Sequence, residues 1–312
     1  MHTMSSAHAR YGNRIVAVLV THDRPQLLLE ALQAVAGQTR RPSRLIVVDN
    51  GSDRATREVL AATPDIDVVR SDVNLGGAGG FALGIERAMA LDADWIWLMD
   101  DDAIPDPRAL EALQARLPDL PREVGAVCSS VMEFGVIATN HRRRFNGLVG
   151  FERPVAAAAY AADVLPVDTA SFVGFLVSAR AVREVGLPNP AFFLSYDDTE
   201  YSLRLGRHGF GVWLVPSSVI VHKRTRSSRL RATEFGPKHY FNVRNRIFVK
   251  SSYCRFGNIG AAAGALFGMA LWLCSPGRFK SPAWHALLRA LSDGYAARLG
   301  PLPERLKSSA VR

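Results

Sequence analysis

Three consecutive carboxylates follow a short apolar run in the first third of the chain. The run spans residues 95–99, and Asp100, Asp101 and Asp102 come directly after it. Like charges this close raise one another's pKa unless a cation makes the ionised forms favourable, and divalent metals prefer such oxygen ligands. The cluster therefore indicates a metal site, with a solvated acidic turn as the alternative.

A second acidic pair, Asp197 and Asp198, stands just before a helix predicted from Thr199 to about Arg207. An aspartate at a helix start is commonly a cap, which the helix dipole favours. Because capping needs only one of the two, the pattern predicts that one caps the helix and the other faces a crevice as a general base.

His222 follows another apolar run. An isolated histidine in such a place is more often structural than a metal ligand. Two features favour the role of metal ligand for His222. An acidic run lies earlier in the chain, and Asp198 of the acidic pair lies 24 residues before the histidine.

Apolar runs alternate with amphipathic helical patterns over the first hundred residues, at 14–20, 44–48, 67–70 and 94–99. This alternation predicts an α/β fold with a mostly parallel sheet that helices cover on both faces. Ligands of such sheets bind beyond the carboxyl ends of the strands. Thr21, Asp49 and Asp100 are therefore expected to share one crevice.

Residues 74–80 are rich in glycine and precede a predicted helix. They form either a mobile loop or a place where backbone approaches a phosphate or sugar at a helix N-terminus. The spacing fits neither the dinucleotide-binding glycine pattern nor a phosphate loop with its lysine.

The composition describes an ordered globular protein with an excess of basic groups. The 312 residues include 38 Lys and Arg against 29 Asp and Glu, a formal charge of +9. This charge favours an anionic partner, whether nucleic acid, a phosphorylated substrate or an anionic membrane. Three dispersed cysteines and the absence of an apolar leader fit a reducing cytoplasm.

Six short motifs together resemble the inverting glycosyltransferases of family 2, which have the GT-A fold, over roughly residues 14–250. The motifs are residues 20–24, 48–52, 74–81, 99–102 and 197–200, and His222. Within the family, the glycine segment followed by the triple aspartate is most similar to bacterial cell-wall galactofuranosyltransferases, with rhamnosyltransferases nearby.

The resemblance implies a nucleotide-sugar site and a metal site. The implied metal ligands are Asp100, Asp102 and His222, which suit Mn²⁺ or Mg²⁺, and the histidine favours Mn²⁺. The implied contacts to the nucleotide-sugar are Thr21, His22, Arg24, Asp49, Asn74, Gly76, Gly77, Asp100 and Asp101.

The resemblance also implies that Asp198 is the catalytic base, which activates an acceptor hydroxyl for a direct displacement with inversion. Residues 238–246 resemble the acceptor-side helix, where Arg244 and Arg246 would bind a lipid-linked diphosphate. The same arginines could instead form a solvated basic face. An RNA site is a third interpretation, which no recognised RNA-binding motif accompanies.

The C-terminal region combines apolar and basic stretches. Residues 259–274 are apolar but short for a membrane span of about 20 residues, and residues 282–298 are amphipathic. The pattern predicts either attachment to the anionic inner face of the cell membrane or a helical hairpin for homo-oligomerisation.

The domain boundaries that follow are a disordered tail at 1–13, a GT-A catalytic domain at 14–235 and a C-terminal helical region at 236–312. The hypothesis for function is transfer of galactofuranose from its UDP donor to a polyprenyl-diphosphate-linked glycan in the cytoplasm, at the membrane surface. A rhamnosyltransferase that uses a dTDP donor is the main alternative, and a basic nucleic-acid-binding protein is an alternative of another class.

Overall fold

The structure is a computed structural model that describes residues 14–121, 123–225, 230–303 and 306. The predicted tail at 1–13 lies outside the described residues. The chain is of mixed α/β type, with a 10-stranded sheet and a smaller 3-stranded sheet.

The first half of the chain alternates strands and helices, as its apolar pattern predicts. The strands are β1 (Ile15–Thr21), β2 (Arg44–Asn50), β3 (Asp67–Ser71) and β4 (Trp95–Asp100), and the helices are α1 (Pro25–Ala36), α2 (Arg54–Ala62) and α3 (Gly76–Ala90). The four strands pair in parallel in the order β3-β2-β1-β4. This is the parallel part of the predicted sheet.

The second half completes the large sheet and adds the small one. Its strands are β5 (Ala103–Pro105), β6 (Val124–Glu133), β7 (Val136–Ile137), β8 (Arg142–Phe145), β9 (Glu152–Pro154), β10 (Leu165–Val167), β11 (Thr169–Ala170), β12 (Phe175–Ser178) and β13 (Gly211–His222). Its helices are α4 (Ala109–Arg116), α5 (Ala179–Val185) and α6 (Asp197–Arg207).

The large sheet has the main order β10-β13-β6-β12-β4-β1-β2-β3, and β11-β8-β9 form the small sheet. Strand β12 runs antiparallel to both neighbours, β4 and β6, whereas β13 runs parallel to β6. The complete sheet is therefore mixed.

Strand β1 shows why a continuous apolar run becomes a central strand. Val16, Val18 and Val20 face one hydrophobic layer, and Ala17 and Leu19 face the other. Successive side chains of a strand point to opposite faces, so a strand covered on both sides needs apolar residues throughout. Full burial of one such valine or leucine stabilises the fold by about 1.5–3 kcal/mol.

The strand register brings the chemical residues of the first half to one edge. Thr21 lies opposite Asp49, and Val20 lies opposite Asp100. These strand ends therefore lie at one edge of the sheet, and of the three residues expected to share a crevice, Asp100 lines the cavity described below.

Three helices follow the sheet region: α7 (Pro237–Tyr253), α8 (Gly257–Cys274) and α9 (Ser281–Tyr295). Helix α8 presents Gly260, Gly264 and Gly268 to α7, where added Cβ atoms would come within 3.2 Å of Lys250, Ile247 or Val243. Glycines four residues apart share one helix face, so they allow the two backbones to approach closely.

Among the described residues, α8 is the helix whose length and composition would allow it to cross a membrane. A third of its most apolar window, 33%, is buried inside the protein. Length and composition alone do not distinguish a spanning helix from one that packs partly against the protein.

Candidate active site

The acidic run after β4 forms a fixed turn beside the end of β1. Asp101 accepts hydrogen bonds from the Thr21 hydroxyl at 2.8 Å, from the backbone N–H of His22 at 3.4 Å and from Arg24 Nη1 at 3.1 Å. These contacts occupy the carboxylate of Asp101 and the hydroxyl of Thr21. The structure therefore gives both residues a role in shaping the turn.

Arg24 also holds Asp102, whose Oδ2 accepts from Nη1 at 2.8 Å. Burial alone would raise the pKa of Asp102, but the neighbouring His222, together with Arg24, outweighs burial and lowers it. Asp102 is therefore ionised at neutral pH.

Asp100 lies in the opposite electrostatic situation. Burial, and next the charges of Asp102 and Asp101, raise its pKa to about 7. A nearby cation would favour the ionised form of this carboxyl.

His222 ends β13 and lies between two carboxylates. Its Nε2 lies 3.2 Å from Asp102 Oδ1, and its Nδ1 lies 2.9 Å from Oε1 of Glu133, the last residue of β6. Burial opposes the charged imidazole, but Asp102 and Glu133 outweigh burial and raise the pKa of His222. The site thus favours positive charge at this position.

The residues present fit a divalent cation between Asp102 and His222. Asp102 Oδ1 is buried and has no hydrogen-bond partner among the described residues. Its separation from His222 Nε2, 3.2 Å, is close to the roughly 3 Å between neighbouring ligands of an octahedral ion with bonds of about 2.1 Å. Asp100 adds a second carboxyl group beside that of Asp102.

Glu133, His141 and His222 form another group with metal-binding atoms, all within 4.8 Å of one another. Glu133 Oε1 contacts both rings, at 2.9 Å from His222 and 3.1 Å from His141. Burial opposes ionisation of Glu133, but hydrogen bonds from the two histidines outweigh it and lower its pKa to about 2. His141 itself is kept neutral by burial, which lowers its pKa to about 4.

A cavity of about 430 Å³ is lined by Asp100, Asp102, His141 and His222. Its lining includes the predicted residues Arg24, Gly77, Asp100, Asp102, Asp198 and His222. It also includes residues that were not predicted as site residues, namely Phe81, His141, Ser171, Phe172, Val173, Leu194, Ser195, Arg224, Leu230 and Lys238. Asp197 belongs to the lining as well.

The remaining predicted donor contacts are not among the residues that line this cavity. Asp49 is fully buried, accepts from the Ser52 backbone at 2.9 Å and pairs with Arg70 Nε at 2.9 Å. His22 Nε2 lies 3.3 Å from Asp23. In this structure Asp49 orders the loop after β2.

The glycine segment turns sharply into α3. Asn74 Oδ1 accepts from the backbone N–H of Gly76 at 2.8 Å, and Gly76 has a φ of +71°. A Cβ on Gly76 would lie 2.0 Å from the carbonyl oxygen of Phe193, whereas a Cβ on Gly77 would meet nothing within 4 Å. Gly76 is thus needed for the close approach of two chain segments, and Gly77 is open to the cavity.

We expect Gly76→Ala to destabilise the protein by at least about 1–3 kcal/mol, because alanine is strained at positive φ and its Cβ overlaps Phe193. Gly77→Ala is the matched control and should unfold within about 0.5 kcal/mol of the parent. Urea unfolding of the two variants tests this. Equal stability of the two would show that the backbone contact at Gly76 is dispensable.

Asp197 and Asp198 begin α6 directly, two residues earlier than predicted. The helix N-cap is Tyr196, in the left-handed region and without a side-chain cap. Asp198 Oδ1 accepts from the backbone N–H of Thr199 at 2.6 Å. The prediction that one aspartate is the N-cap is therefore wrong, because both lie within the first turn.

Burial raises the pKa of Asp198, although hydrogen bonds from Thr199 and the charge of Arg143 act against it. Burial and the charge of Asp198 raise the pKa of Asp197 well above its ordinary value. Backbone hydrogen bonds favour the ionised form of both aspartates, and Asp198 also has the Thr199 hydroxyl and the charge of Arg143. It is therefore the better base of the two.

The turn before α6 is held from α7. Asn245 Nδ2 donates to the carbonyls of Phe192, Leu194 and Ser195 at 3.0, 2.9 and 2.7 Å. Ser195 and Tyr196 both have a φ of +68°. Such strained backbone persists only where its surroundings fix it, and here it places Asp198 in the cavity.

The structure contradicts the prediction that Arg244 binds the acceptor diphosphate. Arg244 is only 1% exposed, and its guanidinium donates to the carbonyls of Ala191, Phe192 and Gly300. Arg244 instead acts as a structural clamp, because its guanidinium binds backbone carbonyls from distant parts of the chain. The basic sequence pattern does not reveal this role. Arg244 supports the turn that carries Asp198.

Arg246 is also largely enclosed. It lies 3.4 Å from Glu152 Oε1 and stacks on Phe267 and Tyr196, with its guanidinium carbon 3.6 and 4.9 Å from the ring centres. It lines neither of the two cavities beside Asp198. Its predicted contact with an acceptor diphosphate stays a prediction.

Comparison with known proteins identifies the family. Residues 13–246 match a family profile described as "Glycosyltransferase like family 2". The chain belongs to this family, so it is a glycosyltransferase, and the resemblance drawn from the six motifs is confirmed.

Relatives that are named glycosyltransferases agree with that assignment. The chain is 37% identical to galactofuranosyltransferase GlfT1 of Mycolicibacterium smegmatis, over 76% of this chain and 83% of the relative. It is 36% identical to GlfT1 of Mycobacterium tuberculosis, over 76% and 82%.

Solved structures confirm the predicted GT-A fold. A mannosyltransferase from Pyrobaculum calidifontis, in complex with GDP-Man and Mn²⁺, is 15% identical with a TM-score of 0.57, over 91% of this chain and 88% of that chain. TarS of S. aureus, residues 1–349 in complex with UDP, is 11% identical with a TM-score of 0.58, over 95% and 83%. These likenesses show the fold.

Sequence patterns missed Glu133, His141, Ser171 and Arg143 as site residues. Residues 141–144 form a basic run of the kind typical of a solvated surface, whereas Arg142 is fully buried and His141 lines the cavity. For Glu133, the sequence signal that could have indicated a site residue was a charged side chain at the end of a strand.

Proposed function

We propose that the protein transfers galactofuranose from UDP-galactofuranose to a hydroxyl of a polyprenyl-diphosphate-linked glycan, with inversion at the anomeric carbon. The observation that carries the proposal is the position of Asp198 on the wall of two neighbouring cavities. One cavity contains Asp100, Asp102 and His222, which suit a nucleotide diphosphate with its cation.

The identity of the donor rests on similarity. Relatives at 36–37% identity are named galactofuranosyltransferases. The TarS structure contains UDP, in a protein of the same fold. Rhamnose transfer from a dTDP donor remains the second candidate, because the fold serves many nucleotide-sugars.

The donor side of the cavity has groups for a diphosphate. Helix α3 begins at Gly76, and its neighbour Gly77 lines the cavity, so backbone N–H groups at a helix N-terminus lie near it. Arg24, which also lines this cavity, adds the positive charge of its guanidinium. Asp49 and Asn74 are proposed to contribute to donor binding from the neighbouring loops, whose conformations they fix by hydrogen bonds.

The acceptor side is the second cavity, of about 290 Å³. It is lined mainly by amide, hydroxyl and basic groups, namely Asn140, His141, Arg143, Thr169, Ser171, Ser195, Tyr196, Asp198, Thr199, Arg224 and Asn242. Asn242 Oδ1 is buried and has no hydrogen-bond partner in the part of the chain that the structure describes. Such groups suit the hydroxyls of a sugar.

The reaction proposed is one displacement. Asp198 takes the proton of the acceptor hydroxyl, and that oxygen bonds to the anomeric carbon. The bond from this carbon to the diphosphate oxygen breaks, and its electron pair leaves with UDP. Attack from the side opposite the leaving group inverts the configuration.

The leaving diphosphate gains negative charge as that bond breaks, and a bound divalent cation would neutralise it. Asp102 and His222 are its proposed ligands, with Asp100 dividing its role between metal and ribose. Mn²⁺ is favoured over Mg²⁺ because a histidine nitrogen is a poorer ligand for the harder Mg²⁺.

A donor panel tests the proposal. Purified protein is incubated with UDP-galactofuranose or dTDP-rhamnose, a short polyprenyl-diphosphate-linked glycan, and Mn²⁺ or EDTA. We expect transfer from UDP-galactofuranose that EDTA abolishes. Use of dTDP-rhamnose alone would establish the rhamnosyltransferase, and binding of nucleic acid without use of either donor would contradict an enzyme of this class.

We also propose that the protein works at the cytoplasmic face of the membrane, with α8 and α9 on the lipid surface. Ile259, Leu266 and Leu273 are spaced by seven residues on α8 and are 56%, 62% and 56% exposed. The guanidinium groups of Arg255 and Arg278 lie over the rings of the exposed Phe256 and Phe279. Basic groups beside exposed apolar rings suit an anionic leaflet.

Vesicle flotation tests this surface. We expect Leu266→Glu to reduce binding to anionic vesicles at least about 5-fold, since a buried leucine side chain contributes about 1.5–3 kcal/mol. Val136→Glu replaces another exposed apolar residue, on β7, and is the control. Unchanged flotation of Leu266→Glu, or a loss of dimer instead, would favour oligomerisation as the role of α8.

A further inference from the structure

Glu133 links two histidines beside the proposed metal ligands. His222 Nδ1 and His141 Nε2 both lie within 3.1 Å of Glu133 Oε1. His141 Nδ1 lies 2.8 Å from Ser171 Oγ, and the two rings meet edge to face with centroids 5.3 Å apart. These contacts form a chain from Ser171 through His141 and Glu133 to His222.

The chain determines which ring nitrogens bear protons. An ionised carboxylate accepts hydrogen bonds and donates none. In His141 the nitrogen next to Glu133 is Nε2, which therefore bears the proton. His222 lies between two carboxylates, but its Nδ1 has hydrogen-bond geometry to Glu133, whereas Asp102 Oδ1 has no hydrogen-bond partner among the described residues, so in the neutral ring Nδ1 bears the proton. The Ser171 hydroxyl can then donate to the unprotonated Nδ1 of His141.

The consequence for His222 is a lone pair on the opposite nitrogen. A neutral imidazole has one proton, so Nε2 presents its lone pair towards Asp102 Oδ1, 3.2 Å away. Two acceptors that face each other at this distance are complementary to a cation between them. A metal-bound histidine typically donates its other N–H to a carboxylate in this way.

We propose that Glu133 is a positioning residue that fixes His222 in the Nδ1–H tautomer, so that Nε2 binds the divalent cation. His141 and Ser171 hold Glu133 in place from the wall shared by the two cavities. Glu133, His141 and His222 then serve one ion at Asp102, and they are not a separate metal site. This inference rests on the metal dependence in the proposed function.

The tautomers can be measured directly in the parent protein. In the full chain without metal, at mildly alkaline pH, ¹⁵N NMR of the histidine rings should show His222 as Nδ1–H and His141 as Nε2–H. The two residues are assigned with the His222→Gln and His141→Gln variants. An Nε2–H tautomer at His222 would overturn the proposal without any mutation at Glu133.

Manganese affinity gives the second measurement, by EPR of free Mn²⁺. We expect Glu133→Gln to weaken binding about 10- to 100-fold, because its amide N–H can donate to Nδ1 and move the ring proton to Nε2. The matched control is Glu200→Gln, which alters another buried glutamate, paired with Arg204 on α6. It should bind Mn²⁺ as the parent does.

Three results would overturn the inference. Parent-like Mn²⁺ affinity in Glu133→Gln would remove Glu133 from the role while leaving the proposed function intact. Losses of equal size in His141→Gln and His222→Gln would place the ion among Glu133, His141 and His222. Failure of the parent to bind Mn²⁺ would overturn the metal dependence in the proposed function, and this inference with it.

Discussion

Asp198→Asn is expected to lower the rate of sugar transfer about 10²- to 10⁴-fold, the usual contribution of a general base. Asparagine has nearly the same shape and can still accept the hydrogen bond from the Thr199 backbone. Donor binding should therefore remain as in the parent. Initial rates at saturating donor and acceptor, with calorimetric titration of UDP, give both quantities.

The control for this variant is Asp163→Asn, which neutralises an exposed carboxylate that pairs with Arg116 and lines neither cavity. It should retain the activity of the parent. Near-normal turnover of Asp198→Asn would assign the base to another group, and Asp197 would then be the first residue to test.

The pH dependence of kcat gives an independent test of Asp198 as the base. A base acts when ionised, so activity falls as pH falls through its pKa. Burial raises the pKa of Asp198 above 3.8, so the acidic limb of kcat should lie above the ordinary range of an aspartate. The remaining activity of Asp198→Asn should lack this limb.

The second large effect on sugar transfer is expected for Asp102→Asn and His222→Ala. Each removes a proposed ligand of the cation that stabilises the leaving diphosphate, and loss of such electrostatic stabilisation costs about 10²- to 10³-fold in kcat. Both variants should also bind Mn²⁺ more weakly. Turnover against Mn²⁺ concentration, with direct binding measurements, separates lost metal from lost chemistry.

His208→Ala is the matched control for the histidine variant, because His208 is exposed at the end of α6 and bonds only locally to Arg204. It should leave both quantities unchanged. If Asp102→Asn and His222→Ala both kept parent-like Mn²⁺ affinity and turnover, neither residue would be a metal ligand.

The first half of the fold could be predicted because its signals are local. The run at 95–99 is apolar throughout, as a strand covered on both faces must be, and the structure buries it as β4. Parallel strands end at the same edge, so the proximity of Thr21, Asp49 and Asp100 followed from the pattern alone.

The second half could not be predicted in the same way, because its partners are distant in sequence. Glu133 contacts His222, 89 positions later, and no periodicity connects the two. Arg142 belongs to a charged run typical of a surface, but its guanidinium donates to the buried carbonyls of Ser129 and Val173. Tertiary contacts override local propensity at both positions.

Arg244 shows the same limit in the C-terminal region. Its neighbours in sequence are basic and aromatic, which is a pattern shared by anion-binding helices and by helices whose arginines bind carbonyls. The choice depends on the turn before α6, which Arg244 reaches from 52 positions away. The candidate base could therefore be found from sequence, whereas the clamp that positions it could not.

The configuration of the transferred sugar tests the central claim most directly, since a single displacement by an acceptor oxygen activated at Asp198 must invert the anomeric carbon. NMR of the glycosidic linkage, in the product made from UDP-galactofuranose, reports it. We predict a configuration opposite to that of the donor. A product that retains the donor configuration would contradict the account.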